Sequence, residues 1–178
     1  MGQYYIVFNL DRNERYRITH GCKMMEHAYL FNYKVNNVEF LLLPGEKWYK
    51  QRIVWAGDYA PKEENQDYNL YEHPRATDID CISKDDRQPR YIINHDRKLY
   101  IDKQHFIDDH KNEKDPIHPL VLLTAEGCGE GMGDYCGSNP DKLIGSWARN
   151  RISTNFAKPS DSYSELRVVL TKKLFTYA

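Results

Sequence analysis

The sequence predicts an α+β fold, a mainly antiparallel β-sheet carrying a few short helices. Short stretches of strand-like alternation recur along the chain, and the helix-compatible stretches between them are brief. No regular exchange of strand with long helix appears, which disfavours a doubly wound parallel sheet. A length of 178 residues suits one domain with a real core. We therefore expect 1–178 to form a single globular domain, with 61–89 as a long surface excursion.

Gln3 to Leu10 sets Tyr4, Ile6, Phe8 and Leu10 on one face and Tyr5 and Val7 on the other, the pattern of a central strand covered on both sides. Asp11-Arg12-Asn13-Glu14 is a polar turn, and Tyr16 to Thr19 alternates as the second strand of a hairpin would. His20 to Tyr29 fits a helix or a strand. Asn36 or Asn37 caps a short helix carrying Val38, Leu41 and Leu42, ended by Pro44-Gly45. Ile53-Val54-Trp55 reads as a buried strand and Ala56 to Ala60 as the turn leaving it.

The excursion at 61–89 is rich in Pro, Asn, Asp, Glu and Lys. Tyr91-Ile92-Ile93 and Lys98 to Ile101 form a hairpin across Asn94 to Arg97, after which Asp102 caps a helix turning Phe106 and Ile107 inward. Leu120 to Leu123 reads as a strand feeding a glycine-dense loop. Asp141 to Asn155 fits a helix followed by a strand or two paired strands. Leu166 to Thr171 reads as a closing strand, ahead of an aromatic tail.

Composition narrows function. Hydrophobic residues make up 40% and charged residues 29%, and no apolar run approaches a membrane span, so no membrane partner is expected. Met1 to Phe8 lacks a basic n-region and a cleavage site, which points to a cytoplasmic protein. A net charge of -1 lacks the basic footprint of duplex nucleic-acid binding. Four cysteines without a tight pair read as free thiols in a reducing compartment, and no metal site is expected. Neither does the sequence specify a cofactor.

Five of the ten glycines fall between Gly127 and Gly137, where the backbone can adopt positive φ and approach a ligand closely. Gly57-Asp58-Tyr59 and Gly133-Asp134-Tyr135 repeat one tripeptide, each after an apolar run. If the two loops meet, Asp58 and Asp134 could share a cleft as paired carboxylates, with Glu26 or His27 as the proton-transfer group. The structural alternative makes each tripeptide a turn whose Asp bonds nearby backbone. Glu26 and His27, as neighbours, point in different directions, and His27 is expected to be a satisfied, partly buried histidine. The loop's acidic residues Glu126, Glu130 and Asp134 repel phosphate unless Lys142, Arg149 or Arg151 offsets them.

The segments Met1-Gly2-Gln3-Tyr4-Tyr5, Met25-Glu26-His27-Ala28-Tyr29, Trp55 to Ala60, Leu123 to Gly127 with Gly133-Asp134-Tyr135, and Gly145 to Arg149 make the chain resemble a group of uncharacterised small proteins from bacteria, bacteriophages and some protists. The resemblance implies no activity and no catalytic residues. A phage setting would fit a counter-defence role, blocking a host protein or sequestering a nucleotide signal.

These readings make a binding protein the leading expectation, uncertain as an enzyme and leaning away from one. The pocket would be built from Trp55, Gly57, Asp58 and Tyr59, from loop residues Gly127, Gly129, Gly131, Gly133, Asp134 and Tyr135, and from Trp147 and Arg149. Its ligand would be a small polar or nucleotide-like molecule. The alternatives are an inhibitor acting through a protein interface, with a homo-oligomer also open, and a metal-assisted hydrolase or transferase using Asp58 and Asp134.

Overall fold

The computed structural model describes residues 2–16, 21–27, 32–80, 87–113, 116–127 and 143–169. At its centre β1 (Tyr4–Asn9) pairs antiparallel with β4 (Gln51–Gly57), from Tyr5 opposite Gly57 to Asn9 opposite Ile53. Alternation sorts β1 onto two cores: Tyr5 and Val7 face one cluster, Ile6 and Phe8 the other. The expectation of a strand covered on both sides holds.

Each central strand shares its outer edge between two short partners. Val7 to Asn9 of β1 pair with β2 (Glu14–Tyr16), and Tyr4 and Tyr5 with β3 (Cys22–Lys23). On β4, Gln51 and Arg52 pair with β9 (Arg151–Asn155), and Trp55 and Ala56 with β8 (Ala125–Glu126). The sheet extends from β9 to β6 (Tyr91–Asn94), β7 (Leu99–Asp102) and β10 (Ser164–Glu165), and from β2 to β5 (Thr77–Ile79). The fold is α+β. Its sheet is mixed rather than mainly antiparallel, because β10 on β7, β5 on β2 and β8 on β4 run parallel. Each parallel strand is only two or three residues long and reaches its partner after a long connection, so local patterning did not reveal it.

Among the described residues, three α-helices pack on this sheet. α1 (Tyr33–Leu41) begins earlier than expected, because its cap is Asn32, whose Oδ1 accepts from the Val35 N–H at 3.3 Å, and neither Asn36 nor Asn37. α2 (Lys103–Asp109) is capped by Asp102 as expected, but only Phe106 turns inward while Ile107 stays exposed.

The apolar run at 120 to 123 is not a strand. It lies in α3 (Pro119–Thr124), where Pro119 occupies the first turn and His118 Nδ1 accepts from the Leu120 N–H at 3.2 Å. All six residues of α3 are buried, and a short apolar run enclosed on every side has no periodicity to separate helix from strand. The 143–149 turns then supply N–H donors to its last carbonyls, Gly145 to Leu122 at 3.0 Å and Trp147 to Leu123 at 2.7 Å.

The undecided stretch after His20 resolves, within the described residues, into β3 and a 3-10 turn at Met24–Glu26. Ala56 and Gly57 belong to β4, so the turn starts at Asp58. Of the stretch expected as a closing strand, Leu166 to Val169 have no regular strand structure, and the segment instead pairs just upstream, at β10. Leu170 onward lies outside the described residues, as do residues 17–19 of the second strand of the expected hairpin.

An ion pair sits inside the core between helices. Lys103 Nζ donates to both Glu39 carboxylate oxygens at 2.8 Å, the two side chains being 3% and 0% exposed. His118 joins them, its Nε2 lying 3.5 Å from Glu39 Oε1. Because Nδ1 accepts from Leu120, the neutral ring carries its proton on Nε2, toward the carboxylate. Burial raises the Glu39 pKa and the Lys103 charge opposes it. Burial, then the Lys103 charge, holds His118 well below the ordinary histidine range. Among the described residues, no helix is long and apolar enough to cross a membrane.

Lys103→Met strands the Glu39 carboxylate and should cost about 3–5 kcal/mol in urea unfolding, whereas the joint Glu39→Leu, Lys103→Met change should cost much less. Acid should also weaken the fold. Unfolded histidine takes up a proton below about pH 6.5, while His27, buried, does so only at about 3. In that window the unfolded chain binds more protons, so stability is full above about pH 7 and falls as pH drops, by up to about 1.4 kcal/mol per unit for each such histidine. Urea unfolding from about pH 7 to pH 5 should show this slope, and His27→Phe should flatten it.

A candidate binding site at the end of the central strands

β4 delivers the first Gly-Asp-Tyr turn to the end of the β1–β4 ladder. The Asp58 N–H donates to the Tyr4 carbonyl and Asp58 Oδ1 accepts from the Tyr4 N–H, both at 3.0 Å. The carboxylate thus extends the ladder by one rung, bonding a backbone N–H 54 residues away in sequence rather than the local backbone of its own turn. The Ala60 N–H closes the turn onto the Gly57 carbonyl at 3.0 Å. Asn69 Nδ2 then ties the excursion to it, donating to the Asp58 and Ala60 carbonyls at 3.1 and 3.2 Å.

β8 runs beside Trp55 and Ala56 and so brings the root of the glycine-dense loop to the same place. Gly127 has φ +80, and a Cβ there would lie 3.3 Å from Ala60 N and Cα and 2.5 Å from Gln3 Nε2. A Cβ on Gly57 would lie 1.8 Å from Gln3 Nε2 and 2.6 Å from the Glu126 carbonyl oxygen. Two glycines therefore make room for one fully buried glutamine amide, which donates to that carbonyl at 3.5 Å. Tyr5 Oη lies 3.1 Å from Gln3 Oε1 and 2.9 Å from the Gly127 carbonyl oxygen.

Arg149, itself in the left-handed region at φ 64, spans the site between two carboxylates. Its Nε donates to Glu126 Oε1 at 2.7 Å and its Nη1 to Glu63 Oε2 at 3.0 Å, with further bonds from Nη2 to each acid. Hydrogen bonds from Glu63, then Glu126, raise its pKa above the ordinary arginine value. The guanidinium is thus engaged by acids rather than left open for phosphate. Arg151, a second cation weighed against the acidic loop, pairs instead with Asp96 in another part of the sheet.

The remaining sequence candidates separate. Tyr59 is 56% exposed beside the turn, and Tyr4 38%. Trp55 and Trp147 are 0% and 1% exposed and belong to the main core. Glu26 faces solvent and caps its own turn, accepting from the Lys23 N–H at 2.6 Å. His27 is not a satisfied, partly buried histidine: it is fully buried edge-on to Trp55, with ring centres 6.0 Å apart, and neither ring nitrogen finds a well-formed hydrogen bond among the described residues. Burial and then the Lys34 charge lower its pKa to about 3, the nearby Cys22 carbonyl opposing weakly. The ring is neutral.

Gly129, Gly131, Gly133, Asp134 and Tyr135 lie outside the described residues, and with them the proposed pairing of Asp58 with Asp134. Among the described residues no group of three or more His, Cys, Asp or Glu is placed to hold a metal ion. Sequence reasoning missed Gln3 and Glu63. Gly57 and Gly127 were the available signal for the first, since both mark close approach of something to the backbone. Comparison of the chain with protein-family models, curated proteins and solved structures finds no match, so the site is read from its own chemistry.

Gly57→Ala should force the Gln3 amide out and cost about 2–3 kcal/mol, measured by chemical unfolding. Adding Gln3→Ser should recover only part of this, because the Glu126 carbonyl remains in the way.

Proposed function

We propose that the protein is a non-enzymatic binding protein that takes a small polar, nucleotide-like ligand where the glycine-dense loop meets the Gly57 to Ala60 turn. The observation that carries this reading is the seating of Gly127 against Ala60, which roots the loop on the turn. Three acidic side chains, Asp58, Glu63 and Glu126, border the junction, and Arg149 engages the last two. Such a rim favours a ligand rich in hydrogen-bond donors, such as ribose hydroxyls or the amino edge of a base, over a bare phosphate. Exposed Tyr59 and Tyr4 supply ring faces beside it.

Tyr59 also favours a second reading, an inhibitor whose aromatic residues anchor a protein partner. A metal-assisted reaction through Asp58 and Asp134 is the third, and the use of Asp58 Oδ1 by the Tyr4 N–H weighs against it.

A thermal-shift panel of nucleosides, cyclic nucleotides and ADP-ribose-like compounds tests the binding reading, since a ligand at a hundred times its Kd stabilises the fold by about 2.7 kcal/mol. No stabilisation across the panel, together with a stoichiometric host protein captured and then lost on Tyr59→Ala, would overturn it for the interface reading. Asp58→Asn keeps an oxygen for the Tyr4 N–H and should cost about 1 kcal/mol or less. Under the metal reading the same change abolishes turnover.

A further inference from the structure

The start of β4 carries a second cluster of a different kind. Trp48, fully buried with its Nε1 donating to Glu14 Oε2 at 2.8 Å, anchors a turn that presents Tyr49 and Lys50 just before Gln51 opens the strand. β9 joins this turn to the β6–β7 turn, because Ile152 is paired with both Gln51 and Asn94. That second turn presents His95 and Lys98 and is held by Asn94 Oδ1, which accepts from the Asp96 and Arg97 N–H groups at 3.1 and 3.0 Å.

Three of the cations here have no carboxylate partner among the described residues. Asp96 pairs with Arg151 and Asp11 with Arg52, whereas Lys50, Arg97 and Lys98 form no salt bridge among the described residues, in a chain whose net charge is -1. Lys50 and Lys98 also stand at φ 56 and φ 55, left-handed positions that glycine or asparagine occupies at less cost. Lys98 closes its four-residue hairpin loop as Asn13 closes the β1–β2 loop, so the turn sets its backbone, while the choice of lysine at both positions places two ammonium groups near one imidazole.

The imidazole is oriented. Lys98 Nζ lies 3.4 Å from Tyr163 Oη, and an ammonium can only donate, so the Tyr163 hydroxyl proton is free to go to His95 Nδ1 at 2.9 Å. His95 Nε2 then donates to Ser153 Oγ at 2.7 Å. The rings of Tyr49 and Tyr163 stand edge-on to His95, with centres 6.5 and 5.8 Å away, and Lys50 Nζ is 5.0 Å from the centre of the Tyr49 ring. Burial, then the charges of Lys50 and Lys98, hold His95 down to about 4, with Asp96 opposing. Both ammonium groups therefore act on one half-buried ring whose two nitrogens are taken by hydroxyls rather than by a carboxylate.

We propose that this edge is an anion-binding site in which Lys50 and Lys98 hold a phosphate monoester beside His95, Tyr163 and Tyr49. It lies at the opposite end of β4 from Gly57 and does not depend on the ligand proposed there. Bound phosphate offsets the two ammonium charges, and the ring beside them becomes easier to protonate.

The test follows the His95 imidazole nitrogens by NMR while inorganic phosphate is added at low ionic strength, with chloride at matched ionic strength as the control. Saturable shifts with phosphate alone, and a rise of the His95 pKa above about 4, are expected. Lys50→Asn with Lys98→Asn suits the left-handed backbone, so the variant should melt no lower than the parent yet bind phosphate at least about tenfold more weakly. The Lys50→Gln, Lys98→Gln pair gives the same readout should the first fail to fold. Tighter binding of adenosine monophosphate than of phosphate would assign the site to nucleotides, and equal binding to the phosphate group alone. A response matched by chloride, or variants that bind phosphate as the parent does, would overturn the proposal.

Discussion

The β1–β4 ladder is the constraint from which the other placements follow. Both strands are buried on two faces, so each needs partners along its outer edge as well as cover above and below. Among the described residues, no long strand supplies that edge. Short segments from distant parts of the chain share it, and the register of β8 on β4 decides where the glycine-dense loop begins. The Gly57 turn and the Gly127 root meet because a ladder ends there and a parallel partner runs alongside.

Charge is handled in three ways in one small fold. Glu39 and Lys103 are sealed in the core, where each satisfies the other and a neutral histidine sits against the carboxylate. Arg149 is half exposed and held between two acids, which joins the excursion to β8. Lys50 and Lys98 stand in two turns, at φ 56 and φ 55, with no acid paired to them among the described residues. In the first arrangement each buried charge satisfies the other, and in the second two acids hold the guanidinium in place; neither account covers the third.

Buried imidazoles link these regions. The backbone N–H of His118 donates to the His27 carbonyl at 2.9 Å, while the His118 ring faces Glu39 and the His27 ring stands edge-on to Trp55 of β4. Neutral rings here let α3 and the 3-10 turn pack under the sheet without bringing charge into it. Burial of the same two rings separates them from solvent, whereas Asp58 is only partly buried in its turn.

What the sequence determined by itself is the part governed by neighbours along the chain. Two-residue alternation marked β1, short apolar runs marked β4 and the β6–β7 hairpin, and Asp102 announced α2. Only the tertiary structure decided that Leu120 to Leu123 coil into α3, since a run buried on all sides carries no period, and that short parallel strands make the sheet mixed, since their partners lie far away in sequence. It alone also showed that Gln3 fills the space two glycines vacate, that Arg149 is held by acids, and that Lys98 and His95 share the Tyr163 hydroxyl while Tyr49 stands edge-on to the same ring. Those are distances between residues far apart in the chain, set by which strands pair and in what register.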